Sequence, residues 1–402
     1  MRPGLRFLAV SLVLLAGLRM QPAAAERVRV TPTFFGMHVE QQFYVGWPAA
    51  KFSTQRAWGV YPAITWDAVN PAPGTFAWAP LDRFVTDSLS RGVELVYVFG
   101  PVPLWASSRP TAACGEAPRG SCHAPDLSAW TEFVTQVTKR YKGRIKYWEL
   151  WNEPDAKNFW GGTHPELVEM ARRAYPIIKA AGGIVLSPSP QGKMGPAWME
   201  GYLAAGGAPF ADINAFHAYL YDAPEALLPL VAAYRSLFAR YEIGQRPLWD
   251  TEHSWGEPDS PFGGDVDQQS AWLARFQILS VATGIDRSIW YGWHHDGWGT
   301  LFRKKTRTLL KTGVAYNQLY DWLVNTSLGP CRQTGSLYEC PIVREDGSEA
   351  RAVWSTGAET SIPAPAGYGR YRTIEGQTVV VPKDGSVPVG MKPVLLEATP
   401  VN

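Results

Sequence analysis

The chain predicts an α/β protein, a (β/α)8 TIM barrel carrying a small C-terminal antiparallel β-sandwich. Strand-like apolar runs alternate with helical patterns through most of its length, as expected of parallel βα units. Eight such runs begin between residues 34 and 287, about 36 residues apart, which is the size of a barrel unit. After residue 326 the texture changes to short alternating runs broken by Gly, Pro and Asp. A doubly wound open sheet is the competing architecture, but no Gly-rich nucleotide fingerprint follows the first run.

The barrel strands are predicted at 34–38, 57–61, 94–99, 147–150, 184–187, 213–217, 247–250 and 287–290. Helices are predicted at 81–90, 128–141, 165–181, 223–241, 266–283 and 314–324. The clearest is 128–141, where Trp130, Phe133, Val134 and Val137 recur at helical spacing and Asp126 or Ser128 can cap the first turn. Further strands are predicted at 337–343, 350–355, 370–374 and 378–381. So short a region makes a poor independent core and is expected to pack on the barrel. The domains read as 26–325 for the barrel, with 26–33 able to pair with the β region, and 326–402 for the sandwich.

Residues 1–25 read as a signal peptide: Arg2 and Arg6 precede an apolar run over 7–18, and Ala23-Ala24-Ala25 forms a cleavage site before Glu26. That run is too short to span a bilayer, and no later stretch reads as a membrane segment. An exported protein, periplasmic or extracellular, is therefore expected. The four cysteines form two tight pairs, Cys114 with Cys122 and Cys331 with Cys340, suited to short disulfides in an oxidising compartment. Zinc is the rival use of these cysteines, but CxxC and HxxxH spacings are absent. The net charge of +2 and the lack of a Lys/Arg run imply neither nucleic acid nor an anionic membrane surface.

Two glutamates carry the chemistry. Glu153, in Trp151-Asn152-Glu153-Pro154, follows the fourth predicted strand, and Glu252, in Thr251-Glu252, follows the seventh. Barrel catalytic residues project from the C-terminal strand ends, so both face one mouth from opposite sides. Cleaving a glycosidic bond needs such a pair: one carboxylic acid protonates the leaving oxygen and one carboxylate attacks the anomeric carbon. Retention requires about 5–5.5 Å between them and inversion about 6.5–9.5 Å. Aromatic residues make up 13% of the chain, with 18 Trp, an excess that a sugar-stacking groove would use.

The Asn152-Glu153-Pro154 and Thr251-Glu252 motifs resemble the strand-four and strand-seven signatures of glycoside hydrolase clan A, and the chain looks most like family 39. That family includes β-xylosidases, α-L-iduronidases and bacterial exopolysaccharide endoglycosidases. The resemblance implies that Glu153 is the general acid/base and Glu252 the nucleophile. It further implies that Asn152 bonds the sugar 2-hydroxyl, that His217 and Tyr219 orient the nucleophile and line the reacting-sugar subsite, and that Arg56 lies near the nucleophile. A surface position is the competing reading for Arg56.

Trp290 and Trp293 are candidates for the platform beneath the reacting sugar, and His38 for the same subsite; Trp105, Trp151 and Trp160 could line flanking subsites. Asp155, Asp250 and Glu257 are further groove candidates. Alternation along the strand puts Glu149 deeper on the same side as Glu153, paired with an Arg or Lys. His294, His295 and Asp296 with His38 could be read as a metal site of a deacetylase, but adjacent side chains on an extended segment point to opposite faces. The expectation is a metal-independent, cofactor-free retaining hydrolase, endo-acting on an extracellular polysaccharide or oligosaccharide, with a monomer favoured. Its rivals are an exo-acting β-xylosidase and a non-catalytic carbohydrate-binding barrel.

Overall fold

Eight short parallel strands close around one axis. The computed structural model describes residues 27–59, 63–255, 265–295 and 299–398, so the predicted leader lies outside the described residues. Around the barrel the strands run Ile184–Leu186, Tyr147–Glu149, Glu94–Val98, Thr54–Ala57, Phe35–His38, Arg287–Trp290, Leu248–His253 and Asn214–His217. A parallel bridge between Leu186 and Ile213 closes the ring. Val96, Leu186, Ile213, Ala215, Trp249 and Ile289 form an apolar cluster of strand residues separate from the main core. The Arg287 guanidinium stacks 4.2 Å from Trp249 and 4.5 Å from Tyr147.

The second strand lies at Thr54–Ala57, not at 57–61 as predicted. Apolar run length misled here, because Thr54, Gln55 and Arg56 are polar and yet fully buried. Each has partners that make burial tolerable: Thr54 Oγ1 donates to Thr33 O, and Gln55 binds Gln42 and Ser88 at 2.8 and 2.7 Å. Three α-helices among the described residues were not predicted: the single turns Gln42–Val45 and Trp66–Val69, and Gly195–Ala204, whose two glycines and Pro196 blur the periodicity. Gly201 is needed there, since a Cβ would come within 2.6 Å of the His164 ring. The predicted helices are present with ends shifted by up to a few residues. Asp126 caps Leu127–Arg140 by accepting from the Ser128 and Ala129 N–H groups, and Thr163 with Glu166 forms a capping box on His164–Ala180.

The C-terminal region is a sheet of antiparallel strands faced by a two-stranded sheet, Thr360–Pro363 with Ser386–Val389. Val394–Ala398, missed from sequence, runs through the large sheet. Its two faces are both buried, Leu395 toward the barrel core and Leu396 toward the sandwich core, so it shows no alternation. The strand Val28–Val30 joins this sheet by pairing with Thr326–Leu328 before the chain enters the barrel. Trp354 sits in the shared core, and its Nε1 donates to Glu225, which also binds Arg275.

Both cysteine pairs are bonded as expected, Cys114–Cys122 and Cys331–Cys340. The second lies in the sandwich, remote from the barrel mouth, and closes a short loop. Replacing Cys331 and Cys340 together by Ser is expected to cost about 2–3 kcal/mol through a freer unfolded chain. Thermal denaturation should report a lower Tm with kcat/KM unchanged.

Among the described residues, no helix is long and apolar enough to cross a membrane.

Candidate active site

At the C-terminal mouth of the barrel the chain departs from regular strand geometry. Past Glu149 it continues to Asn152, which bridges to Ser189, and the Glu153 N–H donates to Ser189 O at 3.1 Å. Glu153 itself holds φ at +37°, in the left-handed region that a side chain rarely occupies. Such strain clusters at functional positions. Glu252 lies inside the seventh strand rather than after it. The register there skips Thr251, pairing Phe216 with Asp250 and His217 with Glu252. This irregularity re-aims the strand end, a common device beside active sites.

The two glutamates meet across the mouth. One carboxylate oxygen of each, with a ring nitrogen of His217, all lie within 4.8 Å of one another. Their partners differ. Glu252 Oε1 accepts from the Tyr219 hydroxyl at 2.6 Å and Oε2 from Arg56 Nη1 at 2.5 Å. Glu153 Oε1 faces His217 Nδ1 at 2.8 Å. His217 therefore touches Glu153 and not the other glutamate, contrary to the expectation that it would orient the nucleophile. Burial, reinforced by the positive charge of Arg56, holds the His217 pKa well below the ordinary imidazole value, so its ring is neutral.

Arg56 organises the centre. It lies on the second strand, fully buried, with Nε and Nη2 on the two oxygens of Glu149 at 3.0 and 2.8 Å. Glu149 is thus the deeper, paired carboxylate, and Ser189 Oγ adds a further bond to it at 2.5 Å. Gripped from behind, the guanidinium presents its remaining donors to Glu252 and to Asn152 Oδ1, the latter at 2.7 Å. Because the Asn152 oxygen is engaged, its NH2 group is left for another acceptor.

Electrostatics separate the pair. Burial lifts Glu252 to about 7 while Arg56 and the Tyr219 hydroxyl pull it back. Glu153 is raised well above the carboxylic range, by burial first and then by the charges of Glu252 and Asp155. Arg56 and Tyr219 offset part of the cost of burying the Glu252 charge, whereas the neighbouring charges add to that cost at Glu153.

A cavity of about 290 Å³ opens over both, lined by Trp58, Asn152, Asn158, Phe159, Gln191, Tyr219, Tyr221 and Tyr291 among others. A larger hollow of about 600 Å³ is lined by the barrel's opposite end, around Thr33, Ile213 and Arg287. Its acids, Asp212 and Asp286, are tied to the backbone N–H groups of Val185 and Leu248.

Several aromatic expectations fail. Trp290 is fully buried, packed against His253 and Trp255, and Trp293 stacks on Phe302; neither lines the cavity. Tyr291 between them does. Trp160 packs edge-on against Trp151 within the core, and Trp105 donates to Asn70 O, so none of these three lines the cavity. His38 is buried behind the cavity wall, its Nε2 against Trp58 O and its ring edge-on to Tyr291 at 4.7 Å. Asp250 is buried against His253 at 2.6 Å instead of facing a groove. Asp155, raised to about 6 by burial, accepts from the Gln191 N–H at 3.1 Å beside the cavity.

The metal reading also loses its geometry, since His294 Nε2 turns to Glu40 O at 2.5 Å while His38 meets Trp58. The His295 side chain, Asp296 and Glu257 lie outside the described residues. Trp58, Asn158, Phe159, Gln191, Tyr221 and Tyr291 escaped the sequence reading. Tyr291 alone carried a signal, its place between the two Trp candidates.

No protein-family model matches the chain. A stretch of 133 residues is 26% identical to endo-1,4-β-xylanase A of Fusarium oxysporum, covering 33% of this chain and 38% of the xylanase. The match thus spans little more than a third of that relative's length. Among solved structures, a family 39 glycoside hydrolase from Bacteroides cellulosilyticus superposes with a TM-score of 0.72 at 19% identity, over 92% of this chain and 81% of the other. A family 39 β-xylosidase from Caulobacter crescentus gives 0.67 at 15% identity, over 93% and 98%. Barrel and appended β-sandwich are shared with these neighbours, which are glycoside hydrolases, as the resemblance to clan A led one to expect.

Proposed function

We propose that this protein is a retaining glycoside hydrolase that cleaves β-linked polysaccharide by double displacement. The observation that carries the reading is the pair Glu153 and Glu252, with oxygens within 4.8 Å and opposite hydrogen-bonding environments. Oxygens that approach this closely favour the near spacing of a retaining pair over the wider spacing of an inverting one. In this reading Glu252, kept anionic by Arg56 and Tyr219, attacks the anomeric carbon while Glu153 gives its proton to the leaving oxygen. A glycosyl ester on Glu252 results. Its formation consumes the negative charge that, added to burial, raised Glu153, so Glu153 then takes a proton from water, which releases the sugar with its configuration restored. The Asn152 amide is placed to donate to the sugar 2-hydroxyl, a bond that strengthens as positive charge develops.

The Arg56 guanidinium on Glu252 disfavours a cation there, so the reading is metal-independent. Xylan is the first substrate to test, because the xylanase and xylosidase relatives act on that chemistry by name. Export is supported by the two disulfides. Endo action is preferred; the modest cavity, about 290 Å³, is what favours the exo-acting alternative. A panel of xylan, β-glucans and bacterial exopolysaccharides, read by product length and by anomeric NMR, tests both. Internal products with retained initial configuration are expected, and inverted product would remove the nucleophile assignment.

The pH profile follows from the same pair. The active form has Glu252 ionised and Glu153 protonated. Activity is therefore lost on the acid side as Glu252 protonates and on the alkaline side as Glu153 ionises. With Glu252 lifted to about 7, the acid limb of kcat/KM should lie near neutrality, and with Glu153 raised well above its ordinary range the alkaline limb should lie far above that of a free carboxylic acid. Arg56→Lys, which loses the two-pronged grip, should move the acid limb upward. An acid limb fixed at the ordinary carboxylate range in both proteins would contradict this electrostatic assignment.

A further inference from the structure

The segment that follows Glu153 is shaped by a disulfide loop from a different part of the barrel. The Ala156 N–H donates to Glu153 O at 2.9 Å, and Phe159 and Trp160 fold back onto Ala156 O at 3.0 Å. The Gly161 N–H then reaches Cys122 O at 2.8 Å. Cys122 and its partner Cys114 are both buried. From the same loop, the Glu116 N–H donates to Asn158 Oδ1 at 3.2 Å. Gly115 makes this approach possible: its φ is +58°, and a Cβ would stand 1.9 Å from Asn158 Oδ1.

With its oxygen held from outside, Asn158 has its NH2 donors left for the cavity that it lines. Gln191 lines the cavity beside it, and Trp58 meets Phe159 edge to face with ring centroids 6.0 Å apart. Aromatic faces and amide donors together are what a sugar ring requires. Among the described residues that line the cavity none is basic, and Glu252 carries a negative charge, which disfavours an anionic sugar. In the proposed reaction the departing group lies on the side of the acid, and these residues surround Glu153.

We infer that Asn158, Gln191, Phe159 and Trp58 form a subsite for an uncharged leaving-group sugar, and that the Cys114–Cys122 loop sets it by holding the Asn158 amide. The inference rests on the glycosidase reading. Its test compares, for wild type, Asn158→Ala, Asn158→Asp and Gly115→Ala, the kcat/KM on a tetrasaccharide with that on a 4-nitrophenyl glycoside of the same sugar. Xylotetraose with 4-nitrophenyl β-xylobioside is one pair, and cellotetraose with 4-nitrophenyl β-cellobioside the other. A nitrophenyl leaving group offers no hydroxyl to the amide, whereas a sugar does. Each variant should lose about tenfold more on the tetrasaccharide than on the aryl glycoside, the worth of one good hydrogen bond. Gly115→Ala should do so although Gly115 does not line the cavity. Equal losses on both substrates, or none, would show that the loop merely supports the fold and would overturn the subsite. A wild type that hydrolyses neither pair nor any polysaccharide of the panel would remove the glycosidase reading and the subsite with it.

Discussion

Glu252→Ala is expected to lose on the order of 10⁴-fold or more in kcat on every glycoside, because no other group can form the covalent intermediate. The fold should survive the change. Arg56, which loses one partner, keeps both oxygens of Glu149 and the Asn152 carbonyl, so no unpaired charge is left buried. Circular dichroism and Tm should stay close to wild type. The sharper readout is chemical. In the space left by the carboxylate, azide can attack an activated aryl glycoside from the face that Glu252 occupied, and a single displacement of a β-glycoside yields the α-glycosyl azide. Recovery of turnover with that product identifies the missing group as the nucleophile. Undiminished hydrolysis, or the β-azide, would sink the assignment.

Glu153→Ala should behave differently, and the difference depends on the leaving group. A departing sugar needs a proton, so loss on oligosaccharides is expected at about 10²–10⁴-fold. A dinitrophenyl leaving group needs little protonation, so the first step survives and the glycosyl-enzyme accumulates for want of a base to activate water. A burst of dinitrophenol, followed by a slow steady state, is the kinetic sign. Azide, which needs no base, should accelerate that slow phase and give the β-glycosyl azide. Equal loss on all leaving groups would deny Glu153 a proton-transfer role and reduce it to a binding group.

The two glutamates were legible because short motifs fixed them to strand ends, and strand ends in a barrel share one mouth. Glu149 was legible for a related reason, since alternation along one strand put it below Glu153. The reacting-sugar wall was not. Trp290 and Trp293 were chosen by residue type, but a one-residue difference in register sends a side chain to the opposite face, and Tyr291 took the cavity position. Arg56 falls just before the predicted second strand, and not on it, because polar residues at 54–56 do not read as a buried strand. Asn158, Phe159 and Gln191 lie in loops whose position depends on contacts such as Glu116 with Asn158, which no local pattern announces.

The pairing of Val28–Val30 with Thr326–Leu328 bears on when the molecule can become complete. One partner is made some three hundred residues before the other. The barrel's first strand, Phe35–His38, follows the early partner after one turn, so its anchor forms only when Thr326–Leu328 has emerged. Until then the early strand is an unsatisfied edge, open to wrong partners. Assembly order is thus the reverse of synthesis order at this seam. A chain held unfolded until it has crossed a membrane would meet its late partner at once, whereas one folding as it is made would have to wait for it.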